Sequence, residues 1–220
     1  MNSVLKEVIN IMVNEELKPG EVVVYVDMDG VLVDFMSGIS QDPAANAARD
    51  RFLSVMQNFP ELKGLSDDEL KAVLAGEQRS PGLKALKKAW NEWRNLKFMI
   101  SGKEGFFANL QPLPGAREML QTIATMVGRK PSILTAPVSQ NSDRCEQEKI
   151  LSVEKNFSGL YSSFYCTQDK YKFAGPNRIL IDDRVKYTVP FANNGGISIL
   201  HTSPKQTIIE LQAILAGNKV

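Results

Sequence analysis

Residues 22–34, VVVYVDMDGVLVD, decide the fold of this chain. The segment begins with an uninterrupted run of β-branched and aromatic residues, Val22 to Val26, which is typical of a parallel strand buried on both faces. Asp27 and Asp29 follow it, and side chains two positions apart on an extended chain point the same way. Two converging carboxylates repel each other unless a cation or a shared proton relieves them. We therefore predict a magnesium site for phosphoryl transfer here, and the alternative is a turn with two solvated acids.

The composition favours a globular protein without a membrane or polyanionic partner. A chain of 220 residues is long enough for one domain, or for one domain with an insert. Its formal net charge of +1 gives no electrostatic argument for a membrane surface or a stable nucleic-acid partner. No apolar run approaches the roughly 20 residues of a membrane span. Because the N-terminus lacks a signal-peptide core and Cys145 and Cys166 have no metal-type spacing, we expect a reduced, cytoplasmic protein.

Helical patterns lie on both sides of the first strand. An amphipathic helix packed on the core is predicted within residues 1–20, because apolar residues recur there at helical spacing. Residues 35–112 contain no second β-branched run, so we predict that they form a small α-helical cap inserted after the first strand. The helix-start signals in this insert are Asp42-Pro43, the capping box Ser66-Asp67-Asp68-Glu69, and Ser80-Pro81.

Strands and helices alternate from Leu113 onward. Four further buried strands are predicted at residues 131–136, 162–167, 178–181 and 197–201. This alternation indicates an α/β fold, in which a Rossmann-like parallel sheet of five strands is covered by helices on both faces. The predicted core domain comprises residues 21–34 and 113–220. Ligands of such sheets bind beyond the carboxyl ends of the strands, so polar residues at those ends should form one site.

Polar residues do follow the predicted strands. They are Asp27 and Asp29 after the first strand, Thr135 at the end of the second, Lys170 and Lys172 after the third, and Asp182 and Asp183 after the fourth. Carboxylates suit magnesium, which is a hard cation, and a hydroxyl and a lysine supply donors for a phosphate. The combination strengthens the prediction of a magnesium-dependent site for phosphoryl transfer.

Four segments at these positions resemble a known family. They are DMDGVLVDF (27–35), FFANLQPLPGA (106–116), ILTAP (133–137) and ILIDDR (179–184). Together they resemble the haloacid-dehalogenase-like (HAD) phosphatase superfamily and, within it, the 5′(3′)-deoxyribonucleotidase branch. The resemblance covers about residues 21–36 and 105–202, whereas the helical insert matches in position alone.

The resemblance implies a phosphoric monoester hydrolase with Mg²⁺ as its cofactor. Asp27 would be the nucleophile that forms an aspartyl-phosphate, and Asp29 would be the general acid and then the base. Asp27, the main-chain carbonyl of Asp29 and the carboxylate of Asp183 would ligate the metal. Asp182 would then orient the metal ligands without binding the metal itself.

The resemblance also implies how the phosphoryl group is held. Thr135 and one lysine would bind its oxygens as negative charge redistributes. Two lysines are candidates, and Lys172 is preferred over Lys170 because its distance from Asp182 in the sequence fits the family better.

Aromatic residues are the candidates for substrate recognition. Phe35 matches a position that stacks a nucleobase in the resembling branch, and Phe106 or Phe107 is the candidate for the opposite wall. The implied partner is a small phosphorylated metabolite, a nucleoside monophosphate. Ala136 departs from the branch, which often has a hydroxyl residue there. Two alternatives stay open: a phosphatase for a sugar phosphate or another small phosphoester, and a non-catalytic protein that binds a phosphate ligand.

Overall fold

The computed structural model describes residues 21–65, 67–76, 80–138 and 142–217. The helix predicted within residues 1–20 and Ser66 of the predicted capping box lie outside these ranges. The strands of the described chain are β1 (Val23–Val26), β2 (Ser132–Thr135), β3 (Phe164–Cys166), β4 (Arg178–Asp182) and β5 (Ile197–Leu200). Its α-helices are α1 (Phe35–Ser40), α2 (Pro43–Met56), α3 (Asp67–Ala75), α4 (Pro81–Ser101), α5 (Ala116–Val127), α6 (Ser142–Phe157), α7 (Val185–Asn193) and α8 (Pro204–Leu215). Short 3₁₀ helices occur at Pro60–Leu62, Phe107–Asn109 and Lys170–Phe173.

The strands form one parallel sheet in the order β3-β2-β1-β4-β5. β1 lies in the centre between β2 and β4, and all four of its side chains are buried. The predicted parallel α/β sheet of five strands is therefore confirmed. Because all strands run in the same direction, their carboxyl ends meet at one side of the sheet, which we call the carboxyl edge.

One face of the sheet packs against α7. The apolar cluster on this face contains Val23, Tyr25, Leu134, Phe173, Leu180, Tyr187 and Phe191. Tyr25 is at its centre, with edge-on ring contacts to Phe173 at 5.4 Å and to Phe191 at 6.3 Å. Burying each large apolar side chain contributes about 1.5–3 kcal/mol, so this cluster fixes α7 on β1 and β4. Elsewhere α5 packs on α8, which also contacts β5.

The helix starts follow the predicted caps where the structure describes them. The Asp42 carboxylate accepts a hydrogen bond from the N–H of Ala44 at 2.9 Å and begins α2. The Ser80 hydroxyl accepts one from the N–H of Leu83 at 3.2 Å and begins α4. These two predicted starts are therefore confirmed.

Contacts between residues divide the chain into two units. The sheet unit comprises Leu32 and the described residues before it, Leu113–Ala136, and the described residues from Phe157 on. The helical unit comprises Val33–Pro112 and Pro137–Asn156. Trp90 and Trp93 are buried in two apolar clusters of the helical unit. The predicted core domain contained residues 137–156, so the observed division differs from the predicted one in this segment.

Gly196, directly before β5, provides a test of how tightly α7 is packed. A Cβ atom at this position would lie 2.5 Å from Cδ1 of Phe191 and closer still to its Cε1. Because Phe191 is fully buried, its ring has no space to move aside. We expect Gly196→Ala to lower the free energy of unfolding by about 1–3 kcal/mol in urea denaturation. Gly76→Ala is the control, since a Cβ there meets nothing within 4 Å; equal losses in both variants would contradict the explanation.

Candidate active site

Three of the predicted site residues lie at the carboxyl edge because their strands end there. Thr135 is the last residue of β2, Asp182 is the last residue of β4, and Asp27 directly follows β1. The N–H of Asp27 donates to the carbonyl of Ile181 at 2.9 Å, which continues the ladder between β1 and β4. All three side chains are buried. The register of the sheet therefore brings together residues that are far apart in the sequence.

A buried lysine joins two of the carboxylates. The ammonium of Lys170 donates to Oδ1 of Asp27 at 2.7 Å and to Oδ2 of Asp182 at 2.6 Å. The side chains of Lys170 and Asp182 are inaccessible to solvent, and that of Asp27 is 6% exposed. Burial opposes the charge of Lys170, yet Asp27 and Asp182 together outweigh it and raise the pKa of the ammonium. This lysine is therefore held protonated at the carboxyl edge.

The structure places the two candidate lysines in different environments. Lys170 and Lys172 both lie in the 3₁₀ helix Lys170–Phe173, which has three residues per turn. Lys170 and Phe173 share its inner side and are 1% and 3% exposed. Lys172 faces outward, where it pairs with Asp169 at 2.7 Å. Sequence spacing alone did not reveal which lysine faces the sheet.

Asp182 is held from several directions. Its Oδ1 accepts the N–H of Arg184 at 2.9 Å, while Oδ2 accepts Lys170. Its main-chain carbonyl accepts the N–H of His201 at 2.9 Å. Both carboxylate oxygens of Asp182 therefore accept a hydrogen bond, which fixes the orientation of this carboxylate at the carboxyl edge.

Asp183 has a different environment. It is exposed, and a Cβ atom on Gly30 would come within 2.6 Å of its Oδ2, so its carboxylate lies against the turn that follows β1. Gly30 itself has φ +81°, a conformation that glycine adopts without strain. The absence of a side chain at Gly30 therefore allows Asp183 to approach the Asp27 segment.

The carboxylates of Asp27, Asp182 and Asp183 each offer an oxygen within 4.8 Å of the other two. Burial, followed by the charge of Asp27, raises the pKa of Asp182 to about 7. Asp183 is exposed as a whole residue, but its carboxylate lies against the turn at Gly30, and partial loss of hydration, followed by the charge of Asp27, raises its pKa to about 6. The charge of Asp29 also raises the pKa of Asp183, so Asp29 affects the same group of carboxylates. Among the described residues, the Asp29 carboxylate is outside the group of three. Three carboxylates with one lysine form an oxygen-rich, negatively charged donor set, which fits a hard divalent cation.

The candidate aromatic residues cluster within the helical unit. The ring centroids of Phe35 and Phe106 are 5.4 Å apart, and those of Phe106 and Phe107 are 5.0 Å apart. Phe35 and Phe106 are half-buried, whereas Phe107 is 1% exposed. Phe35 and Phe106 thus have surface to offer a ligand, and Phe107 supports them from inside the cluster.

Sequence reasoning missed the residues that hold the aromatic segment in place. The buried carboxylate of Glu148 on α6 accepts the N–H of Gly105 at 2.8 Å and that of Phe107 at 3.1 Å. The ammonium of Lys149, also buried, lies 4.8 Å from the centroid of the Phe107 ring. Charged residues on a helix are usually solvated, so no sequence signal marked these two.

Solved structures support the fold. A crystal structure of an L-2-haloacid dehalogenase aligns with a TM-score of 0.50 and 13% identity, over 88% of this chain and 99% of that chain. At this identity the likeness shows the fold alone, which is HAD-like. In the described residues no helix is long and apolar enough to cross a membrane.

Sequence comparisons establish the family. Residues 77–214 match the family described as 5′ nucleotidase, deoxy (Pyrimidine), cytosolic type C protein. The mitochondrial 5′(3′)-deoxyribonucleotidase of Mus musculus is 30% identical over 193 residues, which cover 86% of this chain and 76% of that protein. The cytosolic type of Homo sapiens is 27% identical over 162 residues, 73% of this chain and 70% of that protein. The chain therefore belongs to the 5′(3′)-deoxyribonucleotidase family, and the predicted class, a phosphoric monoester hydrolase, is confirmed.

The two lysines allow a matched test of the buried ion group. Lys170→Met leaves Asp27 and Asp182 without their shared counterion, and breaking a buried ion pair in this way costs about 3–5 kcal/mol. We expect that loss in the free energy of unfolding, measured by urea denaturation at neutral pH with a chelator present. Lys172→Met removes an exposed ion pair and should leave the free energy of unfolding unchanged within error. Similar losses in the free energy of unfolding for the two variants would contradict the conclusion that Lys170 is buried and Lys172 is exposed.

Proposed function

We propose that this protein is a magnesium-dependent 5′(3′)-deoxyribonucleotidase that hydrolyses nucleoside monophosphates through an aspartyl-phosphate. The observation that carries the proposal is the grouping of Asp27, Asp182 and Asp183 at the carboxyl edge, with Lys170 bound to the first two. The family match supports the nucleotidase activity, and the donor set supports the metal and the mechanism.

Asp27 is the proposed nucleophile. Lys170 fixes its Oδ1, which orients the carboxylate and leaves Oδ2 as the oxygen for in-line attack on phosphorus. A bond forms between Oδ2 and phosphorus while the bond from phosphorus to the ester oxygen breaks. This converts one difficult displacement into two easier ones.

Asp29 is the proposed general acid and base. It gives a proton to the departing alkoxide in the first step and removes a proton from the attacking water in the second. That water then releases inorganic phosphate and restores the Asp27 carboxylate. Asp29 follows Asp27 by two positions, and its charge raises the pKa of Asp183, so it acts close to this group.

Thr135 and Lys170 are the proposed donors to the phosphoryl oxygens. Thr135 ends the strand next to β1, and Lys170 uses two of its three N–H donors on Asp27 and Asp182. An ammonium has three N–H donors, so one remains for a phosphoryl oxygen. Donors fixed before the reaction stabilise developing charge without reorganising.

The proposed ligands of Mg²⁺ are Asp27, Asp183 and the main-chain carbonyl of Asp29. Asp182 orients these ligands without binding the metal itself. When bound, Mg²⁺ supplies positive charge next to the transferred phosphoryl group. Asp183 suits this role because its carboxylate lies against the turn that carries Asp29, while both Asp182 oxygens already accept hydrogen bonds.

Phe35 and Phe106 are the proposed contacts to the nucleobase. Their half-buried rings form an edge-on pair that offers apolar surface for stacking. Buried Phe107 keeps the supporting role given above.

The cytoplasmic location expected from the sequence remains a prediction.

Phosphoenzyme trapping tests the mechanism. In acid-quenched reactions with phosphorus-labelled 4-nitrophenyl phosphate, we expect Asp27→Asn to carry no label and to lose activity at least about a thousandfold. Asp29→Asn should accumulate labelled protein, because this leaving group departs without a proton whereas the water step still needs a base. Asp34→Asn is the control, since Asp34 caps α1 and asparagine also caps helices. Label on Asp27→Asn would exclude Asp27 as the nucleophile.

Gly30 tests the link between the turn and the metal. Gly30→Ala would push Asp183 aside, and we expect the Mg²⁺ concentration for half-maximal activity to rise about tenfold. Gly115→Ala is a matched control, because Gly115 has the same φ of +81° but a Cβ there meets only Pro204 at 3.4 Å. Both variants should lose stability, and only Gly30→Ala should change the Mg²⁺ requirement. The same requirement in both would mean that the Asp183 contact is irrelevant to the metal.

A substrate panel tests the proposed activity. Deoxynucleoside and ribonucleoside 5′- and 3′-monophosphates, together with sugar phosphates, should be assayed with and without Mg²⁺. We expect magnesium-dependent release of phosphate, with kcat/KM highest for a nucleoside monophosphate. Turnover of a sugar phosphate without turnover of any nucleotide would exclude the nucleotidase and favour the alternative substrate class.

A further inference from the structure

Tyr187 lies beside the buried ammonium of Lys170. The Lys170 Nζ atom is 4.5 Å from the centroid of the Tyr187 ring, within the range of a cation–π interaction. Tyr187 is 7% exposed, and its hydroxyl donates to Oε1 of Gln168 at 2.7 Å. Gln168 lies two residues before Lys170, so a single tyrosine contacts this segment at two points.

The position of the ring is itself fixed by the core. Tyr187 belongs to the apolar cluster that packs α7 on the sheet, together with Phe173 of the 3₁₀ helix. The same helix carries Lys170, so the ring and the lysine are held by one packed cluster. Arg184 and Lys186 also approach the ring, at 5.8 and 4.6 Å, but both are exposed. Lys170 is therefore the buried cation among the three.

The chemistry of the ring suits the ammonium. A lysine side chain has four rotatable bonds, so its ammonium can still shift and tilt while it keeps two hydrogen bonds to carboxylates, and its third N–H moves with it. An aromatic face attracts the cation without accepting a conventional hydrogen bond, and it keeps water from that side. The ring thus restricts how far the ammonium can shift.

We propose that Tyr187 is a positioning residue that fixes the Lys170 ammonium for contact with both Asp27 and the phosphoryl group. This inference rests on the proposed function, because it assigns Lys170 to the phosphoryl oxygens. It adds a residue that none of the sequence motifs contains.

Substitutions at position 187 and a matched core change test the proposal. We expect Tyr187→Leu to lower kcat about tenfold, the effect of losing about 1.4 kcal/mol at the transition state, with a smaller change in KM. Tyr187→Phe keeps the ring and should retain kcat within about threefold. Phe191→Leu is the control for packing, since Phe191 lies in the same cluster on the same helix. It should lose comparable stability and keep kcat near the wild-type value.

A double-mutant cycle separates positioning from general damage. In a Lys170→Met background, Tyr187→Leu should cause no further fall in kcat, because the group that it positions is gone. An equal fall in both backgrounds, or an equal fall for Phe191→Leu, would overturn the proposal. If Lys170→Met hydrolyses substrate at the wild-type rate, the assigned role of Lys170 fails and the inference fails with it. If Lys170→Met is impaired and Tyr187→Leu is not, the inference alone fails.

If Tyr187→Leu does not fold, fluorinated side chains at position 187 still test the proposal. Phenylalanine and its di- and trifluorinated forms at position 187 have nearly the same shape, but fluorine weakens the negative face of the ring. We expect kcat to fall stepwise with fluorination, and to be insensitive to fluorination in the Lys170→Met background. Equal kcat values for all three rings would overturn the cation–π basis of the proposal.

Discussion

The hydrogen bonds from the Lys170 ammonium to Asp27 and Asp182 are the interaction on which the site depends. They connect residues that follow or end the neighbouring strands β1 and β4. Removing an ammonium and carboxylates from water is costly, and only close contact with good geometry offsets that cost. The parallel register supplies this geometry, because it brings both carboxylates to the same edge.

The five buried strands, their parallel direction and the polar residues at their ends were predictable from the sequence. Buried strands have short apolar runs, and parallel strands expose their carboxyl ends at one edge. This reasoning located Asp27, Thr135 and Asp182 without knowledge of any contact between them. It did not identify the buried lysine, because a 3₁₀ helix turns Lys170 inward and Lys172 outward. A segment of four residues is too short to show the three-residue period of a 3₁₀ helix in the sequence.

Residues 137–156 show a second limit of sequence reasoning. Their position between two strands suggested that they belong to the core domain, yet they group with the helical unit. Arg144 donates to the carbonyl of Gly102, and Glu148 accepts the N–H groups of Gly105 and Phe107. These bonds join segments about 40 residues apart. Hydrogen bonds of this kind between distant segments are not encoded in hydrophobic periodicity.

The grouping of three carboxylates, two of which bind one ammonium, also has a thermodynamic consequence for the whole protein. A cation held by the proposed ligands would be bound by the folded chain alone, since the unfolded chain does not bring Asp27 and Asp183 together. Binding to the folded state raises the free energy of unfolding with the logarithm of the free ligand concentration. For the proposed Mg²⁺ site, folding and metal occupancy would be linked, so the concentration of divalent cation would raise the free energy of unfolding as well as the rate of turnover.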